Sequence, residues 1–187
     1  MTNQETLTRN PNTDAPIRAL RPISFYLIVL MVLVADQLSK TWIQKQMAFG
    51  QSRPLLGDAF RLTLTQNTGG AWGLLPQSNH WFIVFACGAV IALLVAYHRM
   101  PKVELFVGSA FALALGGALG NVTDRIRHGY VVDFLHAKFI NFPVFNLADT
   151  AITFGIIFLL IHLIITSREE AAEAKRAQHD PPTAGVV

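Results

Sequence analysis

Residues 105–123 read LFVGSAFALALGGALGNVT, a run without Asp, Glu, Lys or Arg that is closed by Asp124 and Arg125. Such a run approaches the ~20 residues that cross ~30 Å of hydrocarbon as a helix. Its glycine-rich end, LGGALGN over 115–121, suits close packing, because small residues let helix backbones approach in lipid. Three further windows lack the same four residue types: Pro22 to Ala35, Leu74 to Tyr97 and Thr150 to Ser167. With 52% hydrophobic and only 14% charged residues, the chain is too apolar for an ordinary soluble domain. The reading is a four-span helical membrane protein.

The first window is short, so its helix must carry Asp36 and Lys40 into the boundary layer to complete a span. A cleaved signal peptide is the competing reading of this window. A long polar leader precedes it, however, and DQLSK follows where small cleavage-site residues are expected. Residues 1–20 and 168–187 read as polar tails flanking a membrane domain over 21–167, the second tail opening with a short helix. Four spans place both tails on one side. Assigning that side as cytoplasmic divides the Lys and Arg residues eight to seven, a small positive-inside bias carried by Arg18, Arg21 and the turn His98 to Lys102.

That turn is tight, whereas the other two connections are long, so further structure is expected on the far side. Phe60 to Thr65 alternates apolar and polar residues like a half-exposed strand, and Tyr130 to Phe134 is rich in β-branched and aromatic residues. With Phe139 to Phe145 they predict a small extracytoplasmic sheet resting on the membrane surface.

Polar residues converge at that level from separate segments. Asp36 and Lys40 end the first span, Asn121, Asp124 and Arg125 the third, while Asn146 and Asp149 begin the fourth and Asp133 lies in a loop strand. Each has a plain structural reading. Asp36 and Lys40 are spaced for a helix-surface ion pair worth ~0.2–0.5 kcal/mol if exposed. Asp124 and Arg125 read as a neighbouring ion pair, and Asn146 as an N-cap with Asp149 in the first turn, where the helix dipole favours a carboxylate. Asp133, between Val132 and Phe134, has no evident local partner. The functional reading is that Asp133 and Asp149 face one another across a water. Two close carboxylates share a proton, so one serves as base while the other polarises a peptide carbonyl.

Other chemistries fare worse. No zinc-helix, nucleophile-elbow, phosphate-loop or dinucleotide motif is present. The scattered histidines give no metal site, and His162 reads as a hydrogen-bonded packing residue. Cys87 reads as a small packing residue. The net charge of +3 is spread out, which argues against a nucleic-acid partner. A proton-relaying transporter predicts acids at several depths, whereas these cluster at one; a non-catalytic binder of lipidated proteins would tolerate asparagine at 133 or 149.

The runs DQLSK (36–40), QNTGGAWG (66–73), GGALGNVTDRI (116–126), GYVVDF (129–134) and FNLADTAI (145–152) resemble, in order and spacing, the motifs of lipoprotein signal peptidase, the type II signal peptidase of bacteria. The resemblance covers about residues 22–166 and departs at Gly70 and Trp72, where the family more often shows alanine and phenylalanine. It implies a cofactor-free aspartic endopeptidase of the inner membrane, with both termini cytoplasmic and the site near the extracytoplasmic face. Its substrates would be diacylglyceryl-modified prolipoproteins, cut on the amino side of the lipidated cysteine. The resemblance makes Asp133 and Asp149 the catalytic pair, Asn67, Asn121, Arg125 and Asn146 the polar shell that supports dyad and substrate, and Asp36, Lys40 and Asp124 a framework. It further implies contact with membrane lipid, inhibition by globomycin and a monomer, while Trp72 would suit the headgroup level.

Overall fold

The computed structural model describes residues 20–69, 79–100, 103–140 and 142–179. Four helices, α1 (Pro22–Gln46), α2 (Asn79–Arg99), α3 (Leu105–His128) and α4 (Leu147–His179), are joined at one end by strands β1 (Ser52–Leu56), β2 (Phe60–Asn67) and β3 (Val131–Ala137). Each helix contains a segment long and apolar enough to cross a membrane. Large side chains such as Leu30, Phe85 and Leu163 point outward, being 54%, 69% and 61% exposed. In a soluble bundle that surface would be a liability; in lipid it is the solvent-facing side.

The third helix is the hub. In its apolar window 61% of residues are buried, against 17%, 6% and 11% for α1, α2 and α4. Its glycines explain this. A Cβ on Gly117 would fall 2.4 Å from the Ala148 carbonyl oxygen of α4, and one on Gly116 would lie 2.7 Å from Val32 Cβ of α1. Only hydrogen at these positions allows both neighbours to approach so closely. At its end α3 turns through Gly129 at φ 80°, whose N–H closes on the Arg125 carbonyl, a left-handed cap that feeds directly into β3.

The sheet is antiparallel in the order β1-β2-β3. The alternating run expected over 60–65 is β2, and 130–134 supplies β3. Edge strand β1 has no counterpart in the sequence reading. It carries Pro54, tolerable only at an edge, and all five of its residues are exposed, so no burial pattern marks it. The described residues of the stretch 139–145 contribute part of a 3-10 turn over Lys138–Ile140 and a single bridge, Leu135 to Phe145, rather than a strand.

Two apolar cores sit along the bundle. One, around Phe25, Val29, Tyr97, Val107 and Phe111, fills the end away from the sheet; the other, around Ile43, Met47, Leu64, Val132 and Phe134, glues the sheet to α1. On α1 the residues between them on the buried face are Asp36 and Lys40. A polar layer is thus sandwiched between two dry ones. The expected positions of Gly70, Trp72 and Lys102 lie outside the described residues, as do most of the two tails. Helix α4 continues through the start of the second tail to His179.

Candidate active site

Local backbone chemistry sets the two candidate aspartates side by side. The N–H groups of Phe134 and Leu135 both donate to the Phe145 carbonyl, at 3.0 and 2.7 Å, and Phe145 N–H returns to the Leu135 carbonyl at 2.9 Å. The segment entering α4 is therefore stitched to β3. Asn146 follows as the N-cap: its Oδ1 accepts the Asp149 N–H at 2.9 Å, and its own N–H donates to Asp149 Oδ2 at 3.2 Å. This reciprocal box satisfies two end donors of the helix and puts a carboxylate where the dipole favours it.

The same asparagine reaches the other acid. Asn146 Nδ2 donates to Asp133 Oδ1 at 2.7 Å, while Asn67 Nδ2 of β2 donates to Asp133 Oδ2 at 2.9 Å. Asn121 of α3 donates to Asp149 Oδ1 at 2.8 Å and accepts from Asn146 Nδ2 at 3.1 Å. Asp133 is 2% exposed, whereas Asp149 is half-buried. Burial first, and the charge of Asp149 second, push the Asp133 carboxyl up to about 7 from its usual 3.8, although the hydrogen bonds from Asn67 and Asn146 and the charge of Lys40 pull the other way. A pair of this kind holds one proton between its members over a wide pH range.

Behind the pair lies an ionic layer. Lys40 Nζ reaches Asp36 Oδ2 at 2.8 Å, Asp124 Oδ2 at 2.9 Å and Asn121 Oδ1 at 3.1 Å, which uses all three ammonium donors. All three charged side chains are no more than 3% exposed. The expected surface pair on α1 is therefore a buried triad with α3. The expected pairing of Asp124 with Arg125 is incorrect, because adjacent residues on a helix point in different directions. Arg125 instead lies over the Phe82 ring, 4.5 Å from its centroid, and donates to Asn79 Oδ1 at 3.3 Å. Asn79 and Gln37, which bonds Asp124 Oδ1 at 2.9 Å, are polar members that the sequence reading missed. Gln37 falls inside the DQLSK run, where only Asp36 and Lys40 were singled out, and Asn79 lies in none of the quoted runs. Among the described residues every buried side-chain nitrogen and oxygen has a hydrogen-bond partner.

Two apolar cavities reach residues of this network. One, of about 400 Å³, lies between the 142–145 segment and α4 and has Asn67 and Asp149 in its wall. The other, of about 700 Å³, runs along the small residues Ala86, Ala89 and Ala96 of α2 and ends at Asn121 and Arg125. Residues expected elsewhere to be bland are so only in part. Cys87 is a free, half-buried thiol, while His162 Nδ1 lies 3.9 Å from Glu104 Oε2, a loose ion-pair geometry rather than tight packing.

The family model described as signal peptidase (SPase) II matches residues 28–165. The lipoprotein signal peptidase of Moorella thermoacetica is 43% identical over 149 residues, covering 80% of this chain and 98% of the relative; that of Bacillus subtilis is 36% identical over 151 residues, with 80% and 98% covered. Two solved structures, each described as a bacterial membrane enzyme structure by the in meso method, superimpose with TM-scores of 0.74 and 0.72. They are 28% and 32% identical and cover 91% and 79% of this chain, and 98% and 96% of their own. The match spans all four helices and the sheet, so the molecule is a multi-pass membrane hydrolase, and the chain belongs to the signal peptidase II family.

Proposed function

We propose that this protein cuts the signal peptide from diacylglyceryl-modified prolipoproteins, on the amino side of the lipidated cysteine, with water activated between Asp133 and Asp149. The observation that carries the reading is Asn146, one residue whose side-chain amide binds the first carboxylate and whose backbone N–H binds the second. In the singly protonated pair the ionised carboxylate takes a proton from water as the oxygen attacks the scissile carbonyl carbon. The protonated carboxyl donates to the carbonyl oxygen, giving a neutral tetrahedral diol. Collapse of the diol breaks the C–N bond, with a proton delivered to the departing amine and the pair returned to one proton.

The surroundings support such a substrate. Both cavities are walled largely by apolar side chains, the first with Asp149 in its wall and the second reaching Asn121 and Arg125; a lipid chain and an apolar signal helix need room of that kind at the depth where hydrocarbon gives way to water. The site then faces the extracytoplasmic side of the inner membrane, both termini are cytoplasmic, and the enzyme works as a monomer without cofactor. Globomycin competes for the same place. Asn67, Asn121 and Asn146 orient the pair, and Arg125, at the end of the larger cavity, meets the substrate.

The test is purified protein in lipid with a diacylglyceryl-modified prolipoprotein, comparing wild type with Asp133→Asn and Asp149→Asn. Each substitution is expected to abolish cleavage while insertion and thermal unfolding persist. Turnover retained by either variant removes that residue from catalysis. A chain that only bound lipidated proteins would release no cleaved product at all.

A further inference from the structure

The ionic layer has a symmetry that the dyad itself does not show. Asp124 Oδ2 accepts the Val132 N–H at 3.0 Å, and Val132 directly precedes Asp133. Asp36 Oδ1 accepts the Ala148 N–H at 3.0 Å, and Ala148 directly precedes Asp149. Each dyad aspartate thus follows a peptide N–H pinned by a buried carboxylate from another helix, and one ammonium, that of Lys40, joins the two pinning carboxylates. The third donor of Lys40 goes to Asn121, which itself holds Asp149.

We propose that Lys40 is a positioning residue for peptide cleavage: by tying Asp36 to Asp124 it fixes the backbone before Asp149 relative to the backbone before Asp133, and so sets the spacing of the pair. This inference rests on the dyad reading above. Without the tie, β3 and the start of α4 are joined at this depth by hydrogen bonds from uncharged donors, those of Asn146 and Phe145 and, through Asp36 and Asp124, the Gln37 amide. A charge-assisted network is the stiffer connection. Catalysis by a shared water is sensitive to this spacing, because ångström-scale misplacement of reacting groups costs about a hundredfold in rate. The charged groups facing this arrangement are Asp36 from α1, Asp124 and Arg125 from α3, Asp133 from β3 and Asp149 from α4.

Removing Lys40 alone strands two buried carboxylates, so the informative variant is the uncharged set Asp36→Asn, Lys40→Met and Asp124→Asn together. Asparagine oxygens still accept the Ala148 and Val132 N–H groups, and the uncharged Gln37 amide, which reaches Asp36 Oδ2 at 3.2 Å and Asp124 Oδ1 at 2.9 Å, becomes the one link between the two acceptors. In lipid, with the diacylglyceryl-modified prolipoprotein, the expected result is an intact thermal transition, KM within about threefold of wild type and kcat lower by about a hundredfold. Wild-type kcat in the folded triple variant overturns the inference.

Gly120→Ala provides an independent arm that changes no charge. A Cβ there would stand 2.5 Å from Asp36 Oδ2, shifting the clamp from one side. It should lower kcat by about tenfold with KM unchanged, since it displaces the clamp without removing it; an unaffected kcat in this variant counts against the tie even if the triple variant does not fold. The two readings separate cleanly. Turnover by Asp133→Asn ends the dyad reading, whereas an inactive Asp133→Asn beside a fully active triple variant ends only the role of Lys40.

Discussion

Two pairs of aspartates face inward at the same level of this molecule, and they are treated oppositely. Asp36 and Asp124 share a lysine ammonium and each accepts a backbone N–H. Among the described residues, Asp133 and Asp149 receive only neutral donors, the amides of Asn67, Asn121 and Asn146 and one peptide N–H. A carboxylate with a cation against it is a structural strut; a carboxylate offered amides alone, beside a second acid, holds its proton to higher pH. Residue type did not assign these roles. The compensating charge did.

The sharpest break of that contrast is at the dyad. Asp133→Asn or Asp149→Asn is expected to lower kcat by about a thousandfold or more, the scale of a lost general acid or base, measured by release of signal peptide. Lys40→Met addresses the other pair. It should cost about 3–5 kcal/mol of stability, as expected when one partner of a buried ion pair is removed. A thermal or denaturant transition in detergent reads this directly, and an unchanged transition would mean the triad is not load-carrying.

The two pairs should also differ in their response to pH. The folded Asp133 carboxyl titrates at about 7 against 3.8 for its ordinary value, so the folded state binds this proton more tightly than the unfolded chain does. Stability is then lost as pH rises from about 4 to about 7, and Asp133→Asn escapes that loss. The stability of the variant relative to wild type should therefore improve by about 2–4 kcal/mol between pH 4 and pH 8. The proposed mechanism needs one proton on the pair, so kcat/KM should fall above pH ~7 as that proton is lost. A gap that stays constant with pH would show that Asp133 is solvated like a surface acid.

Packing around the hub helix sets a smaller effect. Gly117→Ala places a methyl against the Ala148 carbonyl, and such overpacking typically costs ~1–3 kcal/mol, with kcat falling as α4 is pushed off. Smallest of all is Asp58, whose carboxylate is 75% exposed and held below its usual range chiefly by hydrogen bonding to Arg61, with help from Lys138. Asp58→Ala should leave both the transition and the turnover at wild-type values, in contrast to any of the four inward-facing aspartates.

Much of this was legible beforehand, for identifiable reasons. Charge-free windows announce spans because hydrocarbon excludes unpaired charge, and the capping pattern at Asn146 and Asp149 is local, so it could be read from spacing alone. The motifs DQLSK and GYVVDF placed the important acids at one end. What failed was pairing. Asp124 was expected to meet its sequence neighbour Arg125, yet it meets Lys40 from another helix; the Asp36–Lys40 pair read from i, i+4 spacing does form, but it is buried rather than on the helix surface as its plain reading had it; β1 and Asn79 were missed because an exposed edge strand and a lone amide leave no periodic trace.

The sequence by itself determined the membrane class, the four helices and the level at which the polar groups lie, because those follow from hydropathy and from interactions within one or two turns. Only the tertiary structure decided which aspartates receive a cation and which receive amides. That choice depends on glycines in α3 letting α1 and α4 approach within contact, so that Asp36 reaches the start of α4 and Asp124 reaches β3. Electrostatic role is a property of distance between segments far apart in the chain, and distance of that kind exists only once the helices have packed.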